Sequence, residues 1–227
     1  MSLAEDGRPL SLTWHYTPRE IVADGVIHGL GVVFGLAGAV ALVTTAVTSH
    51  LGLGERVAVV VYATALVLML GVSALYNLYP VSPRKWLLRR ADHALIYLMI
   101  AGTYTPLVAL VGSGARAYAL LAVIWAVALI GIIVKLLLPG RFDRLSIGLY
   151  LMLGWSGLFA YESVIASLQP TALWLLAIGG ALYSIGVVFH IWRTLPFQNA
   201  IWHAFVLAAT ACHYGTIWAS LNGVPMT

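Results

Sequence analysis

Four pairs of polar residues sit within otherwise apolar stretches of this 227-residue chain: Asp24 and His28, Ser73 and Asn77, Asp92 and His93, and Asn199 and His203. Three of the pairs are spaced i,i+4, so on a helix each presents two polar groups on one face, one turn apart. A carboxylate, a hydroxyl and imidazoles in a low-dielectric pocket suit metal-assisted hydrolysis, in which a metal lowers the pKa of water and a carboxylate takes its proton. The same set suits a proton relay or a pocket for a polar lipid headgroup. Polar groups in a bilayer are costly and usually face a bundle interior or a cavity, so a convergent set marks a candidate functional site. The sequence contains no His-Glu-x-x-His, no Gly-x-Ser-x-Gly and no phosphate-cradling Gly-rich loop.

The elements that must position these groups are membrane helices. Hydrophobic residues make up 61% of the chain and charged residues 9%, with a mean hydropathy of +0.94. Soluble domains carry about 25% charged residues, which excludes a water-soluble fold. Seven apolar segments, at about 22–47, 56–79, 92–112, 116–138, 146–167, 171–193 and 200–221, are each long enough to cross roughly 30 Å of hydrocarbon as a helix. The expected fold is an all-α integral membrane protein, a seven-transmembrane helix bundle. Residues 1–227 read as one domain, with 1–21 a polar N-terminal segment that lacks the apolar core of a cleavable signal peptide. Gly25, Gly29, Gly31 and Gly35 give the first helix the small-residue spacing of ordinary membrane packing.

Loop charges set the expected orientation. Of twelve Lys and Arg residues, one side holds Arg8, Arg19, Arg84, Lys85, Arg89, Arg90, Lys135, Arg141, Arg144 and Arg193, and the other only Arg56 and Arg116. The positive-inside rule places the N-terminus in the cytoplasm and the C-terminus outside. The basic residues lie in short loops between apolar segments, so the net charge of +4 does not point to nucleic acid. Cys212 is the only cysteine, which excludes an intrachain disulfide and a multi-thiolate metal site. Without a mid-membrane lysine a retinal Schiff base has no anchor, since Lys85 and Lys135 lie in or beside cytoplasmic loops.

In that orientation all four pairs fall in the cytoplasmic half of the bilayer. His213, ten residues past His203, lies about 15 Å deeper on a somewhat different face. Each member also has a structural reading. Asp92 precedes an apolar run and reads equally well as an N-cap; Asn199 reads more readily as the N-cap of the seventh helix. Asn77 stands before "LYP", where a helix C-terminus often takes Asn. Ser73 reads equally as a hydroxyl bonded to its own helix. His93, about 100° around the helix from Asp92, is interfacial or supports the site from behind. His190 and His213 are polar neighbours, and His15 and His50 are exposed. His28 and His203 are harder to explain structurally, since intramembrane histidines are rare and each follows a polar residue by one turn.

The stretches "ADHALIYLMIAGTYTP" (91–106), "SIGLYLMLGWSGL" (146–158) and "AIWHAFVLAATACHY" (200–214), with "REIVADGVIHGLG" (19–31) and "SALYN" (73–77), resemble the hemolysin III family, bacterial relatives of the progestin and adipoQ receptors. The resemblance covers nearly the whole chain, including segment number and orientation. It implies a zinc ion near the cytoplasmic face, held by the histidine of a Ser-x-x-x-His motif in the second helix and two histidines spaced i,i+4 in the seventh. It further implies an aspartate and the serine beside the metal-bound water, and ceramide-cleaving amidase activity in some relatives. Carried over, Ser73 matches the serine, Asp92 the aspartate and His203 one ligand, while Asn77 and Asn199 stand where histidines are expected. In the first helix His28 matches and Asp24 replaces an expected Asn.

An Asn carbonyl is a weak ligand for zinc, so the family's zinc site is expected to be weakened here. Asp24 offers a replacement carboxylate, giving a site from Asp24, Asp92, His203 and His28; a metal-free pocket bonded through the two asparagines is the alternative. Three functions remain open: a hydrolase acting on a lipid amide or ester with Asp92 as base and Ser73 orienting water, a non-enzymatic lipid-sensing or membrane-homeostasis protein, and a pore. Asn77 and Asn199 shift the weight from the first to the second, and little or no hydrolysis of lipid amides is expected of the unaltered chain. Pores are the least supported, because polar residues concentrate toward one membrane side. The expected partner is a membrane lipid or fatty acid, and the expected location is the cell membrane, as a multi-pass protein.

Overall fold

The computed structural model describes residues 16–111, 114–138, 140, 142–160 and 168–222. Arg8, His15, Arg141 and the second part of the fifth apolar segment (161–167) lie outside the described residues. The described chain is all-α, with α1 (Pro18–Thr48), α2 (Leu53–Leu78), α3 (Pro83–Val111), α4 (Gly114–Leu137), α5 (Asp143–Gly154), a short 3-10 turn (Ser156–Ala160), α6 (Pro170–Ile191) and α7 (Gln198–Asn222). All but α5 are long and apolar enough to cross a membrane. The protein is a multi-pass membrane protein.

The helix starts follow local chemistry. Pro18 fills the first position of α1, where its missing N–H costs nothing. Thr17 and Glu20 close a capping box: the Thr17 hydroxyl accepts from the Glu20 N–H at 3.3 Å and a Glu20 carboxylate oxygen accepts from the Thr17 N–H at 2.8 Å. The other Glu20 oxygen accepts from the Phe197 N–H at 2.8 Å, which ties the start of α1 to the turn before α7.

Two features differ from the expectation. Helix α3 starts at Pro83 rather than near 92, so Asp92 lies well inside the helix and is not its N-cap. The basic stretch 84–90 is helical because it has a buried face: Trp86 is 2% exposed, and the Arg89 guanidinium lies 5.4 Å from the Trp86 ring centre. The fifth segment is interrupted, since α5 ends at Gly154. Tyr104 of α3 satisfies the backbone there, its hydroxyl donating to the Gly154 carbonyl and accepting from the Gly157 N–H, each at 2.8 Å. A helix break at membrane depth needs such partners, because lipid supplies none.

Helix α2 packs between α1 and α3, α4 lies along α3, and α7 packs along α6 and against α1 and α3. One core joins Leu42, Val59, Tyr62, Met69, Met99 and Ile217, and a second joins Tyr97, Ile124, Ala128 and Leu153. The second depends on Gly131, where an added Cβ would stand 2.5 Å from Cζ of Tyr97. In α1, Gly31 and Gly35 face Leu70 of α2 while Gly29 faces open space. The outer face of α1, including Val22, Val26, Val33, Phe34 and Val40, is exposed and apolar, as a lipid-facing surface must be.

Candidate functional site

Helices α1, α2, α3 and α7 bring the four polar pairs to one end of the bundle. Asp24, 5% exposed, is the hub. One of its oxygens lies 2.6 Å from Nδ1 of His203; the other accepts from the Asn199 amide at 3.0 Å and lies 3.5 Å from Nε2 of His28. The His28 and His203 rings are 4.4 Å apart between centres. Nε2 of His28 is buried and makes no proper hydrogen bond within the protein.

The two asparagines act as a bridge. The Asn199 amide donates to Asp24 and also to Oδ1 of Asn77 at 3.0 Å. The Asn77 amide donates to the Ser73 carbonyl at 2.9 Å and reaches the Ser73 hydroxyl at 3.4 Å. Asp92 lines the same cavity wall as Ser73. A continuous polar chain thus runs from Asp24 through Asn199 and Asn77 to Ser73, crossing α1, α7 and α2. Asn199 follows Gln198 inside α7 with its side chain committed to this chain, so the N-cap reading does not hold. Asn77 does sit in the last turn of α2, whose end is capped by Lys85: Nζ donates to the Asn77 and Tyr79 carbonyls at 3.0 and 2.7 Å.

Among the described residues, Asp24, His28 and His203 form the one group of three His, Cys, Asp or Glu whose donor atoms lie within 4.8 Å of one another. Asp92 stays outside this trio, on the cavity wall beside Ser73. One carboxylate and two imidazoles, with an uncommitted imidazole nitrogen among them, fit a divalent metal in the three-ligand arrangement that leaves a position open. His93 takes a different environment: Nδ1 faces the Arg89 carbonyl at 2.8 Å and lies 3.6 Å from Asp92.

Ser73, Asp92, His28 and His203 open into a cavity of about 780 Å³. Its walls beyond the polar end are mostly apolar, and it follows α6 from Leu173 to Ile191, about 27 Å of helical rise. His213 lines this cavity, packed against Gly179 and Tyr183 rather than against the trio.

Residues read from sequence only as loop charges also line the wall. Lys135 and Arg89 are buried and both pair with Asp143, at 2.7 and 2.9 Å. Burial pushes the Asp143 carboxyl upward, but the Arg89 guanidinium and Lys135 ammonium outweigh it and hold the carboxyl well below the usual carboxylate range. The available signal was a lone acid in the basic stretch "GRFDR".

The haemolysin-III-related family matches the chain over residues 16–214. A hemolysin-3 homolog from Bacillus subtilis (strain 168) is 35% identical over 199 residues, covering 88% of this chain and 93% of the relative. Hemolysin-3 from Bacillus cereus is 35% identical over 193 residues, covering 85% and 88%. The monocyte to macrophage differentiation factor of Homo sapiens is 33% identical over 182 residues, covering 75% and 73%. With matches this long and a polar Asp/His/His cluster inside a bundle of membrane helices, the chain belongs to the haemolysin-III-related family, within the progestin and adipoQ receptor superfamily.

Proposed function

We propose that the protein is a membrane-embedded hydrolase acting on an amide or ester bond of a membrane lipid, at a divalent metal, zinc by its donor set, held by Asp24, His28 and His203. The observation that carries this reading is the continuity of the polar cluster with a long, mostly apolar cavity. The volume is in the range of small-molecule and cofactor sites, with polar groups converging at one end and apolar walls for a chain. Where relatives are expected to use histidines at positions 77 and 199, this chain carries Asn, and Asp24 stands in as the anionic ligand.

Bound zinc supplies Lewis-acid polarisation of a carbonyl and acidification of a water. The chain's own residues do the rest. Asp92, outside the trio and on the same cavity wall as Ser73, accepts the proton of the attacking water. Ser73 orients that water, and the Asn77–Asn199 bridge fixes Ser73 relative to Asp24. The apolar walls hold the acyl chain and exclude bulk water. With the N-terminus in the cytoplasm, as the ten-to-two distribution of basic residues supports, the polar end opens toward the cytoplasm.

A metal-free lipid sensor is the second reading, favoured by one observation: the Asn199 amide already bonds both Asp24 and Asn77, closing the network with protein groups alone. Metal analysis of protein purified without added zinc, then titrated with zinc, separates the two. The hydrolase reading expects about one ion per chain at saturation, together with release of fatty acid from a short-chain ceramide. Zinc that never exceeds background at any concentration, with no hydrolysis, overturns it in favour of the sensor.

A further inference from the structure

The cavity has a second polar point far from the trio. His213 lies ten residues beyond His203 on α7, about 15 Å deeper into the bundle. Its ring enters the cavity wall only because position 179 of α6 is glycine: an added Cβ would stand 2.6 Å from Nε2 of His213. That Nε2 is buried and has no hydrogen-bond partner in the protein. Tyr183, whose ring centre is 5.4 Å from that of His213, also lines the cavity, and its hydroxyl lies 2.7 Å from that of Thr210.

An imidazole is a costly residue at this depth. A buried polar atom without a partner is destabilising, and an aromatic hydrocarbon ring would fill the same space without that cost. A neutral imidazole carries one donor and one acceptor, and a tyrosine hydroxyl can serve as either. Such a pair recognises an uncharged group that both donates and accepts.

We propose that His213 and Tyr183 form a second recognition point, for a hydroxyl borne partway along a lipid chain whose headgroup occupies the Asp24–His203 end. The inference rests on the reading of the cavity as a lipid site. The 15 Å along α7 corresponds to roughly a dozen carbon–carbon bonds of extended chain. The preferred lipid is therefore a mid-chain hydroxylated acyl chain rather than a plain one. Discrimination comes from the unpaired Nε2 of His213, which a plain chain leaves unsatisfied.

Binding to the detergent-solubilised full chain can be followed by intrinsic fluorescence, since Trp155 and Trp202 line the cavity. The probes are octadecanoic acid, 12-hydroxyoctadecanoic acid and 2-hydroxyoctadecanoic acid. The expected result is about three- to tenfold tighter binding of the 12-hydroxy acid than of the plain acid, the effect of one neutral hydrogen bond, with no gain for the 2-hydroxy acid. His213→Phe should abolish the preference while leaving octadecanoic acid within about twofold, and His213→Gln should retain part of it. Equal binding of all three acids by the unaltered protein overturns the proposal and leaves the lipid site standing, as does a preference that survives in His213→Phe. Binding of none of them overturns both. The comparison on the unaltered protein decides the question even if a variant fails to fold.

Discussion

Nδ1 of His203 stands 2.6 Å from the Asp24 carboxylate across 179 residues of sequence, joining the last membrane helix to the first. The contact is buried, with 11% of the His203 side chain and 7% of the Asp24 side chain exposed. It sets the geometry of the trio, because Asp24 also lies 3.5 Å from His28 one turn away. Asp24→Asn keeps the shape and removes the charge that would complete a divalent-metal site. Zinc affinity should fall at least about 10–100-fold, since even indirect partners of a metal are worth that much. Calorimetric titration of zinc into the two proteins checks it; equal affinities would move the metal away from Asp24.

Asn77 and Asn199 touch each other at 3.0 Å, so substituted imidazoles would point into the same space. Asn77→His combined with Asn199→His should therefore raise zinc affinity by about tenfold or more, because imidazole is the better zinc ligand. In that background Asp92→Ala should reduce lipid-amide hydrolysis by about 10²–10⁴-fold with metal content unchanged, as loss of a general base does. Metal analysis paired with fatty-acid release measures both, and hydrolysis that survives Asp92→Ala would remove this residue from the proton transfer.

Much of this arrangement was legible because the apolar runs are long and the polar exceptions few. Asp24, His28 and His203 stood out by residue type and spacing, and the fold brings them together. What sequence could not give were partners in other helices. Asn77 and Asn199 have terminal positions that suit caps, and only their mutual contact reveals a bridge. The start of α3 lies before the apolar run because the stretch from Arg84 to Arg90, loop-like in its charge, is held by the buried Trp86. The break after Gly154 carries no local sequence signal, because its hydrogen-bonding partner, Tyr104, lies 50 residues away. Lys135 and Arg89 counted only toward orientation, since their pairing with Asp143 crosses three helices.

The Tyr104 hydroxyl makes two bonds of 2.8 Å to backbone that would otherwise face lipid or protein interior unpaired. Tyr104→Phe should destabilise the protein by about 1–3 kcal/mol, the cost of leaving such groups unsatisfied. Thermal unfolding in a mild detergent should show a lowered midpoint, and hydrogen exchange should rise around Gly154–Gly157. An unchanged midpoint with unchanged exchange would mean that the break is held by other contacts.

Arg116 lies exposed in the first turn of α4 and is one of only two basic residues assigned to the outer side. With Cys212 replaced by Ala, Arg116→Cys should react with a membrane-impermeant maleimide on intact cells. Labelling that appears only after the cells are opened would invert the orientation and place the polar cluster on the other face.

Asp143 gives the sharpest pH expectation, because its groups are outside the long spanning helices or at their ends. Arg89 of α3 and Lys135 of α4 both pair with it, and His93 and His190 lie within range of its charge. Its folded-state pKa is depressed, so its contribution to stability is complete above the unfolded value of about 3.9 and is lost as pH falls through the lower folded value. The unaltered protein should therefore lose stability progressively below about pH 4. Asp143→Asn should be less stable at neutral pH, by less than the roughly 3–5 kcal/mol of a fully buried pair, because its side chain is 36% exposed. The variant should also show a shallower acid slope. Unfolding midpoints of both proteins between pH 7 and the acid range measure the difference, and parallel slopes would show that the Arg89–Asp143–Lys135 cluster does not control acid stability.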